Sequence, residues 1–191
     1  MKSSYIKNRK LVILDLDETL IHATDEPQNE DWDFEFDKYK VYKRPGLDYF
    51  LVELHKHFDV AVWSSATDDY VKEIVRNIFP AKYELKFVWG RSKCALQYNL
   101  HTLEYWGYLD NHLNYVKILK KVKKRGFAPL EQMLIIDDTP HKARYNYGNA
   151  IYPEEFNGEK DDRELELLLQ YLLTIKDVDN VRTIEKRNWK E

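Results

Sequence analysis

The sequence predicts one domain of the α/β class, in which a central parallel sheet is covered by helices. Two apolar runs, residues 11–14 and 133–136, contain no polar side chain and each ends in two closely spaced acids. Such runs are typical of strands that are buried on both faces of a parallel sheet. Between them, segments with strand and helix character alternate along the chain. A chain of 191 residues can bury one substantial core and is short for two full domains.

The chain is predicted to begin its sheet with the strand at residues 11–14. The carboxyl end of this strand carries Asp15, and ligands bind at that edge in sheets of this type. Residues 22–43 are predicted to be an insertion outside the core. The insertion starts as a polar stretch and continues as a short exposed hairpin, with strands at 34–36 and 39–42.

Two helices and two strands are predicted next. Residues 45–57 form a helix, because a proline is tolerated in its first turn and apolar residues recur at helical spacing. A buried strand at 60–63 leads through residues 64–67 into a second helix, and residues 85–89 are a candidate third strand. The apolar stripe of the first helix is Leu47, Phe50, Leu51 and Leu54, and that of the second is Val71, Ile74, Val75, Ile78 and Phe79.

The second half of the chain is predicted to contain another insertion, two helices and a tail. Residues 90–114 are aromatic and polar without a clean period, so we interpret them as an insertion. Residues 114–124 read as a helix with a basic outer face, and the last helix runs from 161 to about 175, with acids in its first turn. One domain therefore spans residues 1–175. The charged tail at 176–191 is either a docking arm that uses Trp189 or, more commonly for such segments, a loosely held end.

The composition argues against several classes of protein. With 30 basic and 33 acidic residues the formal charge is −3, so the chain lacks the basic field of general nucleic-acid-binding proteins, and we expect no direct nucleic-acid partner. No apolar run approaches the roughly 18 residues of a membrane span, so we expect no membrane partner. The single cysteine, Cys94, cannot form an internal disulfide, which fits a reducing compartment. We expect a cytoplasmic location, or a nuclear one if the chain is eukaryotic.

Four carboxylates are predicted to meet at one edge of the sheet, because both apolar runs end in acids: Asp15 and Asp17 after the first, Asp137 and Asp138 after the second. So much negative charge requires either protonation or a cation, and a hard divalent ion such as magnesium prefers oxygen ligands. An acidic pair that simply ends a strand is the commoner explanation for either pair alone. The occurrence of both pairs favours a magnesium site.

A magnesium site beside a free carboxylate indicates phosphate chemistry. The metal offsets the repulsion between a carboxylate nucleophile and a phosphoryl group. Asp15 is then the candidate nucleophile, which forms an aspartyl-phosphate intermediate. Asp17 is the candidate acid and base, which protonates the leaving alkoxide and later activates water, provided that the chain turns at the strand end.

Five segments of the chain together resemble the motifs of one family. They are residues 15–20 (DLDETL), 43–46 (KRPG), 62–66 (VWSSA), 114–117 (NYVK) and 136–140 (IDDTP). The chain is similar to the haloacid dehalogenase superfamily, and within it to the phosphatases of the RNA polymerase II C-terminal domain and the NLI-interacting-factor-like small phosphatases. The resemblance implies a Rossmann-like three-layer sandwich with a small β insertion after the second motif. Glu18 stands where the wider superfamily usually has glycine.

The resemblance also implies a set of metal ligands. Asp138 would be a side-chain ligand of magnesium beside Asp15, with Asp137 as a close supporting acid. Asp17 would contribute its backbone carbonyl. All four residues are therefore candidate metal-site residues, in agreement with the interpretation of the acidic pairs.

A phosphate-binding set is implied in the same way. The Ser64 hydroxyl and nearby backbone amides would hold the phosphate, with Ser65 and Thr19 completing the set. Lys117 would neutralise phosphoryl oxygens as a catalytic residue, and Arg91 would be directed at the substrate. Without the motifs, Ser64 reads equally well as a helix-entry serine. Lys117 and Arg91 likewise read as ordinary solvated cations.

The aromatic residues of the second insertion stay open to two interpretations. They either stack on a substrate or form the core of a small β insertion, and they are Tyr98, Tyr105, Trp106 and Tyr108. For the whole chain we predict a magnesium-dependent phosphatase that acts on a phosphorylated protein or peptide at phosphoserine or phosphothreonine. The alternatives are a phosphatase of small metabolites or nucleic-acid ends, and a catalytically silent scaffold of the same fold, as a mitochondrial import subunit of the family illustrates.

Overall fold

A parallel sheet of five strands forms the centre of the protein in the computed structural model, which describes residues 9–27, 29–98 and 113–191. None of the helices in these ranges is long and apolar enough to cross a bilayer. The strands are β1 (Leu11–Leu14), β2 (Ile21–Thr24), β3 (Phe34–Phe36), β4 (Tyr39–Lys43), β5 (Asp59–Trp63), β6 (Leu85–Trp89), β7 (Ala95–Tyr98), β8 (Leu113–Val116), β9 (Met133–Ile136) and β10 (Ala150–Ile151). The helices are α1 (Leu47–His57), α2 (Asp68–Ile78), α3 (Lys120–Lys124), α4 (Pro140–Ala143) and α5 (Glu164–Ile175).

Strand β1 lies in the middle of the central sheet, whose order is β10-β9-β1-β5-β6 with all pairs parallel. Leu14 pairs with Val62 on one side and with Ile136 on the other. Asp15 extends this ladder, because its backbone N–H donates to the carbonyl of Ile136 at 2.9 Å. The residues that follow β1 and β9 are therefore brought to the same edge of the sheet.

The two faces of the sheet pack into two different cores, which explains why β1 and β9 have no polar position. Val12 and Leu14 face the core that includes apolar residues of α1, α2 and α5. Ile13 faces the opposite core, together with Trp63 and Val122 of α3. Helices thus cover both faces of the sheet, and the predicted three-layer α/β class is confirmed.

The first insertion is a three-stranded antiparallel sheet with the order β2-β4-β3. The predicted hairpin is confirmed as β3 and β4. Strand β2, which pairs with β4, was not predicted. Only Ile21 of β2 is buried and the next three residues are half-buried, and the pairing of this strand with β4 depends on residues that are distant along the chain.

The single helix predicted at residues 114–124 is wrong. Residues 113–116 form β8, which pairs antiparallel with β7, and α3 begins only at Lys120. Local sequence favoured a helix, but pairing with a strand that is distant along the chain overrides such local preferences. The second insertion therefore begins and ends in a two-stranded sheet.

The tail after α5 is packed against the domain, which differs from the loosely held end that its charge suggested. Val181 and Trp189 are buried, and the indole N–H of Trp189 donates to the carbonyl of Tyr152 at 3.1 Å. The buried ammonium of Lys186 donates to the backbone carbonyls of Gly148 (2.7 Å), Ile184 (2.9 Å) and Val181. These contacts anchor the tail beside β10.

A buried guanidinium ties the first insertion to the last helix, and its removal should destabilise the fold. Arg44 donates two hydrogen bonds to Asp162 (2.7 and 2.9 Å) and one each to the carbonyls of Thr19 and Glu154. Because Arg44→Met would remove the charge partner of Asp162 and the donor to two carbonyls, we expect the free energy of unfolding to fall by about 3–5 kcal/mol. Urea titration followed by circular dichroism measures this change.

The matched control for Arg44 is Arg163→Met, which breaks an exposed pair with Glu166. Exposed pairs contribute little to stability, so the urea midpoint of this variant should match that of the wild type. An Arg44→Met variant as stable as the Arg163→Met variant would contradict the role given to the buried guanidinium.

Candidate active site

A tight turn after β1 places the first acidic pair. The carbonyl of Leu16 accepts hydrogen bonds from the backbone N–H groups of Thr19 (3.2 Å), Leu20 (2.8 Å) and Ile21 (3.2 Å), so the chain reverses immediately after the strand. Glu18 lies in this turn with φ of 59°, in the left-handed region that favours glycine. The role predicted for Asp17 depended on a turn at the end of the strand, and this turn is present.

Three carboxylates gather at the ends of β1 and β9. Oxygen atoms of Asp15, Asp137 and Asp138 all lie within 4.8 Å of one another, and Asp15 and Asp137 are buried. Burial raises the pKa of Asp137, and the Lys117 ammonium only partly offsets this effect. Burial and the nearby charges of Asp17 and Asp138 raise the pKa of Glu18 to about 8. The edge of the sheet thus carries an excess of negative charge.

This donor set fits a hard divalent cation. All the donor atoms are carboxylate oxygens, which magnesium prefers, and a cation would relieve the negative charge that raises the pKa values around it. Asp15 and Asp138 would hold the ion, with Asp137 in support. The carboxylate of Asp17 lies outside this cluster. That the backbone carbonyl of Asp17 binds the metal stays a prediction.

Lys117 is completely buried between two members of the cluster. Its Nζ lies 2.7 Å from Oδ2 of Asp137 and 2.9 Å from Oδ2 of Asp15. Burial alone would lower the pKa of this ammonium, but the charges of Asp137 and Asp15 outweigh burial and raise it. Lys117 is therefore not a solvated lysine of a basic helix. It is a fixed positive charge beside the candidate nucleophile.

The segment that carries Lys117 is held by residues that sequence reasoning missed. The side chain of Asn146 accepts a hydrogen bond from the N–H of Leu119 (2.9 Å) and donates one to the carbonyl of Lys117 (2.8 Å). The N–H of Lys117 donates to the carbonyl of Lys142 at 2.7 Å. The ammonium of Lys142 in turn lies 3.8 Å from Oδ2 of Asp15 and is a second cation beside it. No sequence signal separates Lys142 from other surface lysines.

Asp17 occupies a different environment from Asp15. The hydroxyl of Tyr70 donates to its Oδ1 at 2.5 Å, and the hydroxyl of Ser64 donates to its Oδ2 at 3.3 Å. Burial raises the pKa of Asp17, although the hydrogen bond from Tyr70 acts in the opposite direction. A carboxyl group with a raised pKa retains its proton to higher pH, as an acid catalyst must. Tyr70 was missed because it lies off the apolar stripe of α2.

The residues predicted to bind phosphate are distributed around these acids. Ser64 is buried at the end of β5, and its hydroxyl also accepts from the N–H of Ala66 at 3.0 Å. Half-buried Ser65 presents its carbonyl to the guanidinium of Arg91 (2.8 Å). The hydroxyl of Thr19 donates to Asp138 at 2.9 Å and accepts from its N–H at 3.1 Å. In this structure Thr19 therefore positions Asp138.

A cleft of about 380 Å³ opens beside Asp17. Arg91 borders it and lies with its guanidinium 5.0 Å from the ring centre of Tyr115. Much of the remaining lining is aromatic and comes from the first insertion and α2. These residues are Phe36, Tyr39 and Tyr70. For Tyr98, Tyr105, Trp106 and Tyr108 the sequence left two interpretations open, stacking on a substrate or the core of the second insertion. Residues 105, 106 and 108 lie outside the described ranges, as does the side chain of residue 98.

This chain is similar to a known protein family and to individual proteins. The profile of the family described as NLI interacting factor-like phosphatase matches residues 10–182. Nuclear envelope morphology protein 1 of Saccharomyces cerevisiae is 28% identical and covers 93% of this chain and 41% of that relative. CTD small phosphatase-like protein 2 of Dictyostelium discoideum is 28% identical, covering 90% of this chain and 28% of the relative.

A further relative is named as a subunit of a mitochondrial import translocase. The mitochondrial import inner membrane translocase subunit TIM50 of Kluyveromyces lactis is 28% identical over 92% of this chain and 31% of its own length. Among solved structures, fission yeast Fcp1, an RNA polymerase II CTD phosphatase bound to beryllium fluoride, has a TM-score of 0.52 at 21% identity. That match covers 92% of this chain and 53% of the Fcp1 chain. The chain thus spans less than half of each of these three curated relatives.

Proposed function

Because this chain belongs to the NLI interacting factor-like phosphatase family, we propose that it hydrolyses phosphomonoesters of phosphoserine or phosphothreonine in a protein. One observation carries the proposal. The carboxylate of Asp15 contacts the ammonium of Lys117 and clusters with two further acids, while Asp17, whose pKa is raised, lines an open cleft. Nucleophile and acid are thus held in different environments, as the reaction requires.

The first step joins the substrate to the enzyme. An oxygen of Asp15 attacks phosphorus and forms a new O–P bond, while the bond from phosphorus to the seryl or threonyl oxygen breaks. Asp17 gives its proton to the departing oxygen, which leaves as the alcohol. The charges of Lys117 and Lys142 favour the approach of the phosphoryl oxygens to the carboxylate. Magnesium, when bound, supplies additional neutralisation of those oxygens.

The second step restores the enzyme. Asp17, now a carboxylate, takes a proton from water as the water oxygen attacks phosphorus. The bond between phosphorus and Asp15 breaks, so Asp15 returns as a carboxylate and inorganic phosphate leaves. Tyr70 and Ser64 donate hydrogen bonds to Asp17 and hold it in place through both steps.

The form of the cleft supports a macromolecular substrate. As built by the described residues, the cleft is open to solvent, and the antiparallel sheet of the first insertion contributes Ala23, Phe36, Asp37 and Tyr39 to its lining. A small metabolite is usually enclosed for catalysis, whereas an exposed phosphorylated side chain of a protein can reach an open cleft.

A second candidate function is a scaffold without turnover. It is favoured by the 28% identity to TIM50, a protein named as a subunit of an import translocase. Retention of Asp15, Asp17, Asp137 and Asp138 in one site argues for the enzyme instead. A scaffold would not need a fixed lysine beside a carboxylate nucleophile.

The decisive experiment is a substrate panel measured with and without magnesium, with Asp15→Asn as the blank. We expect magnesium-dependent release of phosphate from phosphoserine and phosphothreonine peptides. If the wild type hydrolyses no substrate faster than the Asp15→Asn blank, the enzyme proposal is refuted and the scaffold is favoured. Faster hydrolysis of a sugar phosphate or a 3′-phosphorylated oligonucleotide than of every phosphopeptide would instead favour a phosphatase of small molecules or nucleic-acid ends.

Removal of the Tyr70 hydroxyl should slow proton transfer to the leaving group. With Tyr70→Phe, Asp17 loses its shortest hydrogen bond, so we expect kcat on phosphoserine peptides to fall roughly tenfold with little change in KM. The matched control is Tyr83→Phe, because that hydroxyl donates to the carbonyl of Leu51 at 3.0 Å and does not line the cleft. Steady-state kinetics on both variants check the prediction, and equal kcat values would contradict it.

A further inference from the structure

A second cleft, separate from the one beside Asp17, is lined almost entirely by cations. It has a volume of about 430 Å³ and is formed by the side of α3 and the turn after β6. Its lining residues are Ser92, Lys93, Lys121, Lys124 and Arg125. Among the residues that the structure describes, no carboxylate lines it, although the chain as a whole has a charge of −3. The positive charge is therefore concentrated locally, which indicates an anion-binding surface.

Two of the four cations that line this basic cleft, Lys121 and Arg125, are held in place by contacts that do not neutralise them. Within the part of the chain that the structure describes, none of the four makes an ion pair, whereas the surface lysines Lys38 and Lys72 pair with neighbouring aspartates. The ammonium of Lys121 donates to the carbonyl of Lys93 at 3.0 Å. The guanidinium of Arg125 lies 4.7 Å from the ring centre of Trp89. Both contacts orient a cation and preserve its charge.

One turn connects the basic cleft with the candidate active site. The N–H of Arg91 donates to the carbonyl of Ala66 at 2.8 Å, and its guanidinium donates to the carbonyl of Ser65. This turn is thus bonded to the loop that follows β5. Arg91 borders the cleft beside Asp17, and the next two residues, Ser92 and Lys93, line the basic cleft. A polypeptide crossing this turn would contact both clefts.

We infer that the basic cleft binds a second phosphate group on the same polypeptide whose phosphorylated residue enters the active site. This inference rests on the proposed function and names its substrate class, a multiply phosphorylated protein segment. Three lysines, an arginine and a serine hydroxyl around one cavity offer the charge and hydrogen-bond donors that a phosphate dianion requires. A polypeptide is favoured over a nucleic acid because the cleft adjoins a site for protein phosphoesters.

The test compares a singly phosphorylated peptide with doubly phosphorylated peptides that carry the second phosphate at increasing spacing. For the wild type, kcat/KM should be about tenfold higher on the best doubly phosphorylated peptide, mainly through KM. In the Lys93→Ala/Lys124→Ala variant this preference should disappear. Hydrolysis of an aryl phosphate and of the singly phosphorylated peptide should stay unchanged in the same variant.

The matched control is Lys120→Ala/Lys123→Ala, which removes two charges from α3 without altering the lining of the cleft. This control should retain the preference for the doubly phosphorylated peptide. An equal loss in both variants would overturn the inference in favour of general electrostatic attraction. Equal rates of the wild type on singly and doubly phosphorylated peptides at every spacing would overturn it as well.

A binding measurement separates failure of this inference from failure of the proposed function. Fluorescence anisotropy with the Asp15→Asn variant measures affinity without turnover, and the doubly phosphorylated peptide should bind about tenfold more tightly than the singly phosphorylated one. That difference should vanish when Lys93→Ala and Lys124→Ala are added. Tighter binding of a single-stranded oligonucleotide than of the doubly phosphorylated peptide would overturn the inference. Absence of hydrolysis of the aryl phosphate and of every phosphopeptide by the wild type would instead refute the proposed function.

Discussion

The Asp15→Asn variant should lose phosphatase turnover by about a thousandfold or more while it remains folded. An amide cannot attack phosphorus to form the covalent intermediate, so no other group at the site replaces the nucleophile. The volume of the side chain is nearly unchanged, and the amide oxygen can still accept the hydrogen bond that Oδ1 accepts from the N–H of Leu16 at 2.9 Å. Steady-state rates on an aryl phosphate and on a phosphopeptide measure the loss.

Two further measurements identify the cause of that loss. Thermal unfolding should show that the Asp15→Asn variant is folded, and acid quenching during turnover should recover covalent phosphate on the wild type only. The control is Asp25→Asn, which removes an exposed carboxylate paired with Lys38 and should retain full activity. If Asp15→Asn keeps turnover within tenfold of the wild type, the nucleophile is a different residue.

The Asp17→Asn variant should separate substrates according to their leaving groups. An alkoxide from serine or threonine is strongly basic and needs a proton as it departs, so we expect the rate on phosphopeptides to fall about 10²–10⁴-fold. An aryl oxide leaves without a proton, so its first turnover should fall by less than about tenfold. Because Asp17 also activates water in the second step, the aryl substrate should give a burst followed by slow turnover.

Rapid-mixing kinetics of alcohol release on both substrates measure this difference. The control is Asp37→Asn, which changes an exposed carboxylate that lines the same cleft and, among the described residues, makes no hydrogen bond with Asp17. Asp37 has φ of 54°, a conformation that asparagine also adopts, so the backbone should be undisturbed. Equal losses on the aryl and alkyl substrates would contradict the role given to Asp17.

The parts of the structure that the sequence predicted best are those encoded by local patterns. The apolar runs of β1 and β9 identify two central strands because a residue buried on either face of the sheet must be apolar. The stripe of α2 identifies a helix because every third or fourth residue faces the core. Because parallel strands in register end at the same edge of the sheet, the acids that follow both strands lie at one edge.

Local patterns failed where distant residues decide the conformation. Residues 113–116 became a strand because β7 was available to pair with them, and a window of neighbouring residues contains no information about that partner. The charged tail packs because Lys186 finds three carbonyls that converge around its ammonium. A composition rich in charge cannot reveal such a site.

The same division holds at the candidate active site. By itself the sequence determined the α/β class, the acidic pairs and the family motifs that single out Asp15 and Lys117. Only the tertiary structure decided that Lys117 is buried against Asp15, that Tyr70 holds Asp17 and that Lys142 is a second cation. The physical reason is that periodicity and motif spacing act over a few residues along the chain. Burial, pKa and hydrogen bonding arise from groups that meet only after the chain has folded.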